Sequence, residues 1–99
     1  MPNYCHLSEM PDFQMLSERA QDFYLFLHNM SGETAVVKNM RQIRQERGVT
    51  DEDIRQLLRR GYLLALPDGQ ALVVHSNIAR QMIQEYVERH GHQPPITWL

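Results

Sequence analysis

The residues in this 99-residue chain best suited to chemistry are its arginines, and they cluster. Residues 36–62 carry Lys38, Arg41, Arg44, Arg47, Arg55, Arg59 and Arg60 against Glu46, Asp51, Glu52 and Asp53, a local balance of +3. Residues 1–35 sum to −4 and residues 63–99 to −1, so the formal net charge of −2 hides a segregation. Guanidinium forks match phosphate oxygens and guanine edges. The middle third therefore suits a polyanion by local charge, although the whole chain does not by bulk charge. Gln45 and Gln56 lie within this track and can read adenine edges. The competing reading is a solvated face with internal ion pairs, such as Asp51 with Arg55 at the i, i+4 spacing.

Other chemistry has less behind it. Cys5-His6 and His90-Gly91-His92 raise the question of a metal, but zinc sites show paired ligands at recurring spacings. No metal or cofactor is expected. The chain has no nucleophile elbow, phosphate-binding glycine loop or HExxH. His28 and His75 have no evident Ser or Cys partner, and the acids at 51–53 are explained by helix capping. The expectation is a protein that is not an enzyme.

Apolar periodicity sets the elements that must position these residues. Phe13, Leu16, Ala20, Phe23, Leu27 and Met30 recur at steps of three and four, one face of a helix. Asp12 can cap its start, or Ser17 a later one, and Ser31-Gly32 ends it. Val36, Val37, Met40 and Ile43 predict a second helix from about Thr34, as N-cap, to Arg47, stopped by Gly48. Thr50 caps a third, whose first turn holds Asp51, Glu52 and Asp53 at the positive end of the helix dipole. Ile54, Leu57 and Leu58 form its buried stripe, and Gly61 ends it. Two apolar runs, Tyr62–Leu66 and Ala71–Val74, flank Pro67-Asp68-Gly69, which predicts a β-hairpin. A fourth helix runs from Ser76 or Asn77 to Gly91, with Ile78, Met82, Ile83, Tyr86 and Val87 as its stripe. Pro94-Pro95 keeps the tail extended, and Trp98-Leu99 either docks on the core or covers a partner.

The whole reads as one mainly α domain with a small β-hairpin over residues 1–99. Its core spans about 13–90, and tails 1–11 and 92–99 are flexible or docked. Core filling is the reading for Met30, Met40 and Met82, and for Phe13, Phe23, Tyr24 and Phe26. Tyr24 and Phe26 broaden the first helix beyond one seam, so a homodimer contact through Tyr24, Phe26 and Tyr86 is a secondary expectation. No apolar run approaches the roughly 20 residues of a membrane span, and the N-terminus lacks the basic-then-apolar pattern of a secretory signal. One cysteine forms no internal disulfide. A cytoplasmic protein is expected.

The order helix, helix, short turn, helix, hairpin, helix resembles the winged helix-turn-helix superfamily. The segment from Thr50 to Leu63, running into the Pro67-Asp68-Gly69 hairpin, carries the resemblance, which covers about residues 13–90. It implies that the third helix enters the major groove of double-stranded DNA and that the hairpin touches the backbone or the minor groove. On this chain Arg55, Gln56, Arg59 and Arg60 would face the groove, with Lys38, Arg41, Arg44 and Arg47 on phosphates. A small DNA-binding regulator of transcriptional, plasmid or phage type is the first expectation. The second is an adaptor or inhibitor that binds another protein through the acidic first helix or Asp51–Asp53. Recognition helices offer their N-terminal residues to bases, and here those residues are acids. The wing tip also lacks Lys and Arg. Arginines 41, 44, 55 and 59 clear of acids would favour DNA, and acids among them would favour a protein partner.

Overall fold

The computed structural model describes residues 10–93, 96 and 98. Cys5 and His6 therefore lie outside the described residues. The chain is mainly helical with a small antiparallel sheet, in the order α1 (Pro11–Gln14), α2 (Glu18–Ser31), a 3-10 turn (Gly32–Thr34), β1 (Val36–Val37), α3 (Met40–Arg47), α4 (Asp51–Arg59), β2 (Leu63–Leu66), β3 (Gln70–Val73) and α5 (Asn77–His90). The strands lie in the order β1-β3-β2.

The continuous first helix expected over 13–30 is two helices. The break falls at Met15–Ser17, where Ser17 turns extended and its hydroxyl accepts from Ala20 N–H at 3.1 Å. Ser17 is thus the N-cap of α2. Asp12 is not a cap: its carboxylate is held by Arg60 and by Arg80, the latter at 2.6 Å. Phe13 and Leu16 still reach the core, so the apolar spacing survives the break.

The second expected helix is shorter than predicted. Thr34 caps nothing and instead donates to the Ser31 carbonyl at 2.9 Å. Ala35 and Asn39 both take φ of 60°, which a right-handed helix cannot hold. Between them Val36 and Val37 pair with Leu72 and Ala71 of β3. Two adjacent β-branched residues suit a pleated strand, and this one ties the hairpin to the helices. Helix α3 then ends as expected at Gly48, with φ of 66° and Val49 N–H donating to the Arg44 carbonyl at 3.1 Å.

Helix α4 opens on a capping box. The Thr50 hydroxyl accepts from Asp53 N–H at 3.2 Å, and the Asp53 carboxylate accepts from Thr50 N–H at 3.3 Å. The hairpin turns through Asp68 and Gly69, both at positive φ. Ser76 caps α5, accepting from Ala79 N–H at 3.1 Å.

Phe13, Tyr24 and Tyr62 meet edge to face at the centre, with centroids 5.1 to 5.7 Å apart. Around them pack Phe23, Leu27, Met40, Ile54, Leu57, Leu63 and Val73. Tyr24 is therefore interior, with its hydroxyl donating to the Val74 carbonyl. A ring held there by burial and a hydrogen bond reaches no partner surface, which corrects the expected dimer contact at Tyr24. Met40 fills the core as expected, whereas Met30 and Met82 are exposed because their faces of α2 and α5 turn away from it.

The tail docks. The buried Gln93 amide accepts from Ala65 N–H at 2.9 Å and donates to the carbonyls of Leu58 and Leu63 at 2.7 and 2.6 Å. Trp98 is 1% exposed and its indole N–H donates to the Gln70 carbonyl at 3.0 Å.

Candidate functional site

The basic residues singled out by charge lie on α3, α4 and their flanks, but their side chains do different things. Arg44 reaches across the Gly48–Thr50 turn to form an ion pair with Asp51, the first residue of α4. Arg60 lies on Asp12 beside Arg80. Arg47 covers the half-buried ring of Phe26, with its guanidinium carbon 4.1 Å from the centroid. The Gln56 side-chain carbonyl accepts from Ser17 N–H at 2.9 Å and so helps to start α2. Three of the eight predicted nucleic-acid contacts, Arg44, Gln56 and Arg60, thus hold the fold's helices together.

Lys38, Arg41, Arg55 and Arg59 are exposed. Arg55 and Arg59 stand one turn apart on the outer face of α4, and neither joins an ion pair among the described residues. Asp51 and Glu52 share that helix, one turn nearer its start, and are exposed as well. Its outward surface is therefore acidic at the start and basic beyond, rather than a positive track throughout. The hairpin tip adds Pro67 and Asp68, both exposed, and no cation.

Asp53 behaves differently from its two neighbours. Its carboxylate is buried and accepts from the Ser17 hydroxyl at 2.8 Å and the Thr50 hydroxyl at 2.8 Å, with Arg19 at 3.6 Å. Burial alone would raise its pKa, but these hydrogen bonds and the nearby guanidinium outweigh burial and hold it below its ordinary value. Asp53 thereby links α2 to α4 and is not available to a partner.

A groove beside α4 is lined by Met15, Leu16, Ser17, Glu52, Gln56, Arg59, Arg60 and Gln84. Met15 is 71% exposed there. Its exposure carries no periodic signal in the sequence, because Met15 falls in the α1–α2 break. On α5, Met82, read as core filling, is exposed, as are Ile78 of the same stripe and Tyr86, which was also an expected dimer contact. The signal was the width of the apolar pattern, which exceeds what one buried seam needs. The Tyr86 ring leans on His90 with centroids 4.3 Å apart.

His28 and His75 stack at 4.1 Å with rings 16° from parallel, and His75 Nε2 lies 3.1 Å from the Ser31 hydroxyl. That hydroxyl is placed to donate to the His28 carbonyl at 3.0 Å. The trio fastens the end of α2 to the start of α5. Among the described residues, no three His, Cys, Asp or Glu side chains gather as a metal site, and no helix is long and apolar enough to cross a membrane. No family model matches the chain, and no curated protein or solved structure matches it either.

Proposed function

We propose that this chain is a non-catalytic module of winged-helix type that binds another protein, in a cytoplasmic setting. The support for the winged-helix part is the order of elements: a helical pair joined by a short turn, followed at once by a hairpin, with β1 joining that hairpin to the helices. The observation that carries the binding mode is the placement of acids among the arginines. Asp51 neutralises Arg44, and Glu52 shares the open face of α4 with Arg55 and Arg59. A duplex approaching that face would meet carboxylates at the helix N-terminus, where base contacts are made in recognition helices. A protein surface of mixed sign has no such conflict.

A second reading keeps DNA as the ligand, and one observation favours it: Arg55 and Arg59 are exposed, one turn apart and outside any described ion pair. Fluorescence anisotropy with random-sequence duplex, at about 50 and about 200 mM salt, separates the two. The protein-binding reading expects no association at either salt. Affinity that falls steeply between them would overturn it and put the arginines on phosphates.

A further inference from the structure

Arg55 and Arg59, outside any described ion pair, also share a cavity. It lies where the tail folds back over α4 and holds about 180 Å³. Arg55 and Arg59 form one side of it, with Leu58, Val87 and Ile96 as apolar lining and His92 at the edge. No acid is among the residues that line it.

The fold holds this cavity open in a defined way. Gly91 ends α5 at φ of 80° and turns the chain back. Gln93 then pins that chain to the Leu58 and Leu63 carbonyls and to Ala65 N–H. Leu58 is fixed in the core, and Val87 and Ile96 pack against it. The His92 ring is steadied as well, its Nδ1 N–H donating to the Gln93 carbonyl at 2.6 Å. The apolar part of the lining therefore exists before any ligand arrives.

Two guanidiniums one helical turn apart can fork onto one carboxylate. The apolar lining asks for an apolar group on the same ligand. A cavity of roughly 150 Å³ is enough for a benzene ring, so this one fits a single large apolar side chain. We propose that it captures the C-terminus of a partner chain, the α-carboxylate on Arg55 and Arg59 and the terminal apolar side chain on Leu58, Val87 and Ile96. Within a polypeptide, only the C-terminal residue carries a free α-carboxylate and a side chain on one carbon. Inorganic phosphate would satisfy the arginines and leave the apolar lining without a partner. This inference rests on the protein-binding reading of α4 and names what its basic end would hold.

The test uses the full chain, labelled with nitrogen-15, and the blocked tripeptide acetyl-Gly-Gly-Phe with a free C-terminus. Titration to about 5 mM should move the backbone amides of Gly91 and His92 and the Gln93 side-chain amide, with a dissociation constant of about 1 mM or tighter. The same peptide as its C-terminal amide should bind at least about tenfold more weakly, because it offers no charge to the guanidiniums. Inorganic phosphate should likewise bind at least about tenfold more weakly. Arg55→Gln and Arg59→Gln should each weaken the acid by about tenfold or more. Both positions are exposed, so circular dichroism should show parent-like folding. No shifts at 5 mM, an amide or phosphate that binds as well as the acid, or variants that bind like the parent would each overturn the proposal. Those outcomes leave the protein-binding reading standing, since the duplex measurement decides that reading separately.

Discussion

Asp12 accepts from Arg60 and Arg80 at once, and Arg80 is itself buried beneath the Tyr62 ring. Removing one partner of such a group leaves a charge with neither water nor counter-ion. Asp12→Ala should therefore lower the unfolding free energy in urea by about 2–4 kcal/mol. A change below about 0.5 kcal/mol would mark the triad as a solvated surface cluster. Asp53 gives a pH dependence of known sign. Its folded pKa is depressed, so its contribution is present above the unfolded-chain value of about 3.9 and is lost as pH falls through the lower folded value. Asp53→Asn should be less stable at neutral pH and show a shallower acid limb in pH-dependent melts. The tyrosines act at the other end. Burial pushes Tyr62 up to about 12, and it raises Tyr24 as well. The unfolded chain ionises near about 10, so their stabilisation is full below that pH and lost as pH rises through the folded values. In an alkaline absorbance titration both should ionise together with loss of the helical signal. Ionisation of all four tyrosines near about 10 with the fold intact would contradict this.

At the scale of elements, the junction between α4 and β2 leaves no room for a side chain at Gly61. Gly61 takes φ of +81°, and a Cβ there would lie 2.5 Å from the backbone carbonyl oxygen of Arg80. Gly48 has a similar φ of +66° with nothing within 4 Å of its Cβ position. Gly61→Ala should cost about 2–4 kcal/mol and Gly48→Ala about 1 kcal/mol, compared by chemical denaturation. Equal costs would show that α5 gives way. Helices α2, α4 and α5 and the hairpin were legible because each combines a periodic stripe with a cap or turn residue. Strand β1 was not. Val36 and Val37 fit a helical spacing with Met40 and Ile43, and a two-residue strand is too short to show a period of its own. Nothing in the local sequence announces that Ala35 and Asn39 adopt left-handed backbone; the pairing of Val36 and Val37 with β3 accompanies it.

At the scale of the whole molecule, charge and periodicity together put Arg41, Arg44, Arg47, Arg55 and Arg59 on α3 and α4. They left Lys38 on a helix when it lies between β1 and α3, and could not say which side chains were already occupied. Arg60 finds Asp12 48 residues away, and Gln56 finds Ser17 39 away. Such long-range pairings follow from packing, not from spacing. The cavity beside α4 was illegible for the same reason. Arg55 and Arg59 stood out by charge, but Ile96 and His92 join them only because Gln93 pins the tail across Leu58. The outer stripe of α5 escaped differently: a wide apolar arc does not reveal which half faces inward. Trp98 is the only tryptophan, so its emission reports the docking of the tail. It should lie to the blue in the native state and shift to the red on unfolding. Trp98→Ala should cost about 3–5 kcal/mol; a loss under about 1 kcal/mol would mean the indole adds little to the core. That seating also bears on how the chain is built. Synthesis runs from the N-terminus and domains begin folding as they are made, so α4 and the hairpin exist before Gln93 and Trp98 do. During that interval the Leu58 and Leu63 carbonyls and the Ala65 N–H lack their amide partner. The hairpin also waits for its indole. Gln93 and Trp98 then work as a latch that closes only after α4 and the hairpin are in place.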